Sequence, residues 1–205
     1  MFNTTLLCLL VLVAQFVLCT LAAFAFARLE FRGRDVLFAI ILLQMMIMPD
    51  VLLVANYRSM AQLGLVDTIL AIALPYLGSA FGIFLLRQTF RTIPQELLDQ
   101  AKIDGCSHWS VYGRIMMPLA RPALATVSIF LFLGNWNELI LALTLIQNDA
   151  RKTVPLGLIT FVGQYKIEYG QLAAALAWAT IPVLLIYVAL QREFIKGLTA
   201  GALKY

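Results

Sequence analysis

Residues 5–27 read TLLCLLVLVAQFVLCTLAAFAFA, an unbroken run without a charged side chain, closed by Arg28. A helix needs about 20 such residues to cross the hydrocarbon core of a bilayer. The run is too long for one strand and lacks the alternation of a membrane barrel. Ala25-Phe26-Ala27 resembles a leader cleavage site. However, no Lys or Arg precedes the run, and it exceeds the apolar core of a leader, so a retained span is expected.

Four further runs have the same character: 36–55, 68–86, 122–146 and 170–190. The second carries Pro49 and Asp50 near its end, and the fourth is polar only around Asn135–Glu138. Of the 205 residues, 62% are hydrophobic and 13% charged, against about 25% charged in a soluble domain. The expected fold is all-α: one transmembrane domain over 1–205, a polytopic helical bundle of five spans in membrane lipid.

The 15 Lys and Arg residues divide unequally between the connecting segments. Eleven fall after the first, third and fifth runs, beginning with Arg28, Arg87 and Arg192; Arg58, Arg151, Lys152 and Lys166 fall on the other side. Basic loops face the cytoplasm, which predicts a cytoplasmic loop 87–121 and a cytoplasmic C-terminus. These charges are spread over short loops and form no continuous basic face, so nucleic acid is not an expected partner. Cys8, Cys19 and Cys106 have no metal-ligand spacing, and neither a metal site nor a disulfide framework is expected.

Loop 87–121 is too polar to span but carries strong local signals. Thr92-Ile93-Pro94-Gln95 reads as a helix start, with Thr92 as cap and Pro94 in the first turn. Glu96 and Lys102 complement the two ends of the helix dipole. Ile93, Leu97 and Ala101 share an apolar face with Leu98 beside them. Gly105 is placed to end this helix in a left-handed conformation. Ser107 can then cap a second helix running to Pro118. Gly78 and Gly82, in the preceding run, form a small-xxx-small pair suited to close helix packing.

Asp99-Gln100-Ala101, three residues, Gly105, nine residues, then Ile115-Met116-Met117-Pro118 resembles the signature loop of binding-protein-dependent ABC importer permeases. The family pattern is Glu-Ala-Ala, three residues, Gly, nine residues, Ile-x-Leu-Pro. Asp99, Gln100 and Met117 depart from its residues, while the spacing is kept. Phe31-Arg32-Gly33-Arg34, Trp136-Asn137-Glu138 and Gly197-Leu198-Thr199-Ala200-Gly201-Ala202 are similar to the carbohydrate, maltose-type branch. That family has six spans, and this chain matches the last five.

The resemblance implies a transport subunit with no catalytic residue, working with a second permease subunit, an ATPase dimer and an external solute-binding protein in a prokaryotic inner membrane. It implies ATPase coupling through Glu96, Asp99, Gln100, Ala101, Asp104, Gly105, Ile115 and Pro118. The phosphate-binding pattern Gly, four residues, Gly-Lys-Ser/Thr does not occur, so ATP and Mg are expected on the partner ATPase. Asn135, Asn137 and Glu138 are candidates for the translocation path of a sugar or polyol, because polar groups within a span usually face a cavity or a partner. The outward segment 147–169 is expected to meet the solute-binding protein, and the tail from Gly197 to reach the ATPases. A secondary transporter or channel subunit is the competing class. It predicts coupling carboxylates at mid-membrane, where this chain has only Asp50 and Glu138, both near the ends of runs. A truncated, non-functional permease fragment is a third reading.

Overall fold

The computed structural model describes residues 1–162 and 169–202, and among them the regular elements are helices. In chain order these are α1 (Phe2–Arg28), α2 (Arg34–Gln44), α3 (Leu53–Gln62), α4 (Ile69–Ala73), α5 (Ala80–Thr92) and α6 (Gln95–Ile103). They are followed by α7 (His108–Val111), α8 (Met117–Leu119), α9 (Arg121–Trp136), α10 (Ile140–Leu145), α11 (Val154–Ile159) and α12 (Tyr169–Ala202). The protein is thus an all-α helical membrane protein.

Three segments among the described residues are long and apolar enough to cross a bilayer: Phe2–Arg28, Arg121–Leu145, which is interrupted between α9 and α10, and Tyr169–Gln191. The count reaches 5 if two interrupted pairs, Arg34–Gln44 with Pro49–Gln62 and Ile69–Tyr76 with Ala80–Thr92, each form one crossing. Residues 36–55 are therefore not one helix. α2 has 11 residues, about 16 Å of rise, and is too short to span alone. The cause of the break lies at Met48, held extended at φ −64°, ψ 132° before Pro49, since proline disfavours the helical conformation in the residue preceding it.

The run 68–86 is also divided. Thr68 caps α4 by accepting from the Ala71 amide, and Ser79, in extended conformation, caps α5 by accepting from the Gly82 amide at 3.1 Å. α5 then continues to Thr92, past the expected loop boundary at 87.

The chain forms two compact units. One comprises Met1–Gln15, Ile47–Gly78 and Phe130–Ala189; the other comprises Phe16–Met46, Ser79–Ile129 and the chain from Leu190. In the first, Leu7, Val11, Ile72, Leu141 and Leu145 form a buried core. Beside it Cys8, Phe132 and Trp136 pack with Val183 and Ile186. In the second, aromatic side chains dominate. Phe26 meets Phe38 at 5.7 Å and Phe31 at 5.8 Å, and Phe24 meets Tyr112 edge-on at 5.4 Å.

Small residues decide one packing distance in the second unit. A Cβ on Gly82 would lie 3.2 Å from the Cys19 sulfur, whereas one on Gly78 would meet nothing within 4 Å. The small-residue pair is therefore a single close approach, at Gly82.

Candidate functional site

The segment after α5 is built around two turns. Thr92 does not cap α6; it is the last residue of α5, and its hydroxyl donates to the Thr89 carbonyl at 2.8 Å. Arg28 instead organises this corner. Its guanidinium donates to the carbonyls of Phe90 at 2.6 Å and Ile93 at 2.5 Å, and to Gln95 Oε1 at 2.8 Å. A helix C-terminus leaves carbonyls without partners and carries partial negative charge, so a cation suits it. In the sequence Arg28 shows only as a charge that sets topology, because its partners lie more than 60 residues away.

α6 buries Leu98 and Ala101, while Leu97 is exposed. The apolar face is thus narrower than expected and excludes Leu97. Asp99 accepts from the Gln95 side-chain amide at 3.1 Å and lies 3.7 Å from Lys102. Gly105 takes φ +77°, as its position predicts. Its amide donates to the Lys102 carbonyl at 3.0 Å, and the Cys106 amide reaches back to Ala101 at 2.9 Å. These two bonds make a complete Schellman turn. Ser107 caps α7 by accepting from Ser110.

Residues Tyr112–Met116 form a π-helical turn leading to Pro118. Proline cannot donate to the carbonyl four residues back and crowds it, so a widened turn ahead of Pro118 is the local solution.

Glu96, Asp99, Gln100, Asp104, Gly105 and Pro118 are all exposed, Ile115 is half-buried, and Ala101 is packed inward. Two large apolar side chains outside the expected coupling set lie beside them: Ile103 at 85% exposure and Trp109 at 72%. Ile103 ends α6 and Trp109 lies in the four-residue α7, a stretch too short to show a helical repeat, which is why no periodicity marked them.

The path candidates separate into two kinds. Asn135 is buried and donates to Gln15 Oε1 at 3.0 Å and to the Leu131 carbonyl at 2.8 Å. Gln15 donates in turn to the Tyr76 carbonyl at 2.7 Å. Glu138 accepts from the Tyr76 hydroxyl at 2.6 Å and from the Leu141 amide, in the first turn of α10, at 2.8 Å. Asn135 and Glu138 thus tie α9, α10, α1 and the Tyr76 turn together. Asn137, just past α9, is exposed, and among the described residues its side chain bonds the Leu133 carbonyl.

A further clip, unmarked in the sequence, joins two connecting segments of the first unit. Asp67 sits at φ +61°. Its Oδ1 accepts from the amides of Gln147 at 3.0 Å and Asn148 at 2.9 Å, and Arg151 donates to both its carboxylate and its carbonyl. The two amides, with Arg151, hold the Asp67 carboxyl below its usual range.

Segment 147–169 begins in this clip, and its residues 163–168 lie outside those described. The tail from Gly197 continues α12 to Ala202, while 203–205 lies outside the described residues.

Helices able to cross a bilayer, joined by a capped helical loop with a glycine turn, define a polytopic membrane protein. The chain belongs to the family of binding-protein-dependent transport system inner membrane components, whose model matches residues 4–199. It is 31% identical over 202 residues to an arabinooligosaccharides transport system permease protein of Halalkalibacterium halodurans, covering 98% of this chain and 72% of that protein. It is 36% identical over 192 residues to a trehalose transport system permease protein of Mycobacterium tuberculosis, covering 92% of this chain and 70% of that one. A bacterial ABC transporter involved in the import of the acidic polysaccharide alginate shares the fold. Its TM-score is 0.81 at 24% identity, covering 94% of this chain and 73% of the solved one.

Proposed function

We propose that this chain is a permease subunit of an ABC importer for a sugar or related polyol, and that the segment from α6 to Pro118 receives the motion of a partner ATPase dimer. In this reading a second permease subunit completes the path, and an external solute-binding protein docks on segment 147–169. ATP and Mg are handled wholly on the ATPases. The loop 87–121 and the C-terminus face the cytoplasm, in line with the basic asymmetry of the sequence. Relatives named for arabinooligosaccharide and trehalose transport support the solute class.

One observation carries the coupling role. A rigid turn at Gly105 presents Ile103 and Trp109, with the charged edge of α6, outward on a capped helix. Large exposed apolar side chains beside ordered backbone mark a surface that a partner covers. Of the path candidates, Asn137 is free to meet solute, while Asn135 and Glu138 hold the wall in place. A permease subunit alternates between two packings, and nucleotide acts on it only through contacts that differ between them.

The test is Gly105→Val. A left-handed β-branched residue is strained by about 1–2 kcal/mol, and the strain falls on the turn and leaves the spans untouched. Membrane abundance should stay near wild type while solute uptake falls at least about tenfold. Wild-type uptake at wild-type abundance would end the coupling assignment.

A further inference from the structure

Where α1 ends, the second unit holds an open basin of about 740 Å³. Arg28, Arg34, Lys102 and His108 line it, with Glu30 as the one carboxylate among its lining residues. Leu29 and Phe31 also line it, so the basin is cationic with an apolar part. Among the described residues no carboxylate lies within ion-pair distance of Arg28, whose three acceptors are neutral oxygens. Arg91 adds a like charge near it. Arg34 and Lys102 pair only with Asp35 at 3.3 Å and Asp99 at 3.7 Å, whose side chains are 76% and 56% exposed. Such solvated pairs hold their cations weakly, leaving a positive surplus in the basin.

The height of the basin follows from α1. Its 27 residues rise about 40 Å, enough to cross a hydrocarbon core of about 30 Å, and Arg28 is its last residue. The basin therefore stands at the level of lipid headgroups. Guanidinium groups fit phosphate oxygens in pairs, and basic pockets at this level hold anionic headgroups. The volume falls in the range of small-molecule sites.

We infer that this basin binds the phosphate headgroup of an anionic membrane phospholipid. The inference rests on α1 crossing the bilayer and is independent of the coupling role given to α6. Headgroup phosphate would draw Arg34, at the start of α2, and Lys102, in the last turn of α6, toward Arg28. Occupancy of the basin would then brace the corner that the loop grows from.

The test uses the assembled transporter, delipidated in detergent and followed by native mass spectrometry as phosphatidylglycerol or phosphatidylethanolamine is added. Wild type should retain phosphatidylglycerol in preference to phosphatidylethanolamine. Arg34→Gln with Lys102→Gln should weaken that retention about 25-fold, from roughly a fivefold loss per basic charge removed. Glu30→Gln, which deletes the opposing carboxylate, should strengthen it severalfold, and this gain cannot come from misfolding. Equal retention of the two lipids, or no change in either variant, would overturn the proposal. Displacement of the lipid by millimolar glycerol phosphate, with no preference between the lipids, would assign the basin to a soluble anion and overturn the lipid assignment.

Discussion

Asp67 and Gly105 share an uncommon backbone, with φ of +61° and +77°, and they do different work. At Gly105 a Cβ would meet nothing within 4 Å, so substitution there costs conformation alone. Gly105 was legible in the sequence because a helix stop is a local signal. Asp67 was not, since its value comes from amides about 80 residues later. Its depressed carboxyl implies a pH dependence of definite sign. The clip contributes fully above the usual carboxyl value of 3.8 and is lost as pH falls through the lower native value. Hydrogen exchange at Gln147 and Asn148, corrected for intrinsic rate, should show protection at pH 6 that disappears in strong acid. Asp67→Ala should remove it at every pH. Protection unchanged in Asp67→Ala would show that the clip holds nothing.

At the scale of elements, hydropathy found the runs but not their interruptions. Charge-free length says where a chain can sit in lipid; it does not say whether the backbone stays helical throughout. The break before Pro49 had a local signal in the Met48-Pro49 step, and the break at Ser79 had one in the Ser-capped start of α5. Arg87 carried no signal of its role. It is buried, donates to the Phe26 carbonyl at 3.2 Å and lies over the Phe38 ring at 3.8 Å, all partners about 50–60 residues distant.

The packing of α5 on α1 offers a direct test. Gly82→Ala should destabilise the purified protein, because its Cβ would approach the Cys19 sulfur at 3.2 Å. Cys19→Ala should relieve that cost, giving a coupling between the two sites of about 0.5–3 kcal/mol in a thermal-unfolding double-mutant cycle. Strict additivity would mean that α1 and α5 are not in contact there.

For the whole molecule, the two compact units divide the connecting segments as the basic residues do. The unit that includes Phe16–Met46 and Ser79–Ile129 holds the Arg-rich turn after α1 and the α6–α8 loop; the other holds the Asp67 clip. The orientation proposed from the basic residues has its own test. A cysteine placed at His108 should resist a membrane-impermeant thiol reagent in intact cells and react once the cells are opened. Labelling in intact cells would invert the orientation.

The central claim is that the Gly105 turn is covered by an ATPase. A photo-crosslinker at Ile103, 85% exposed in the chain alone, tests it in the assembled transporter with and without ATP. The account predicts one adduct, to the ATPase subunit, with a yield that changes with nucleotide. An adduct to lipid alone, in a transporter that still takes up its solute, would contradict it.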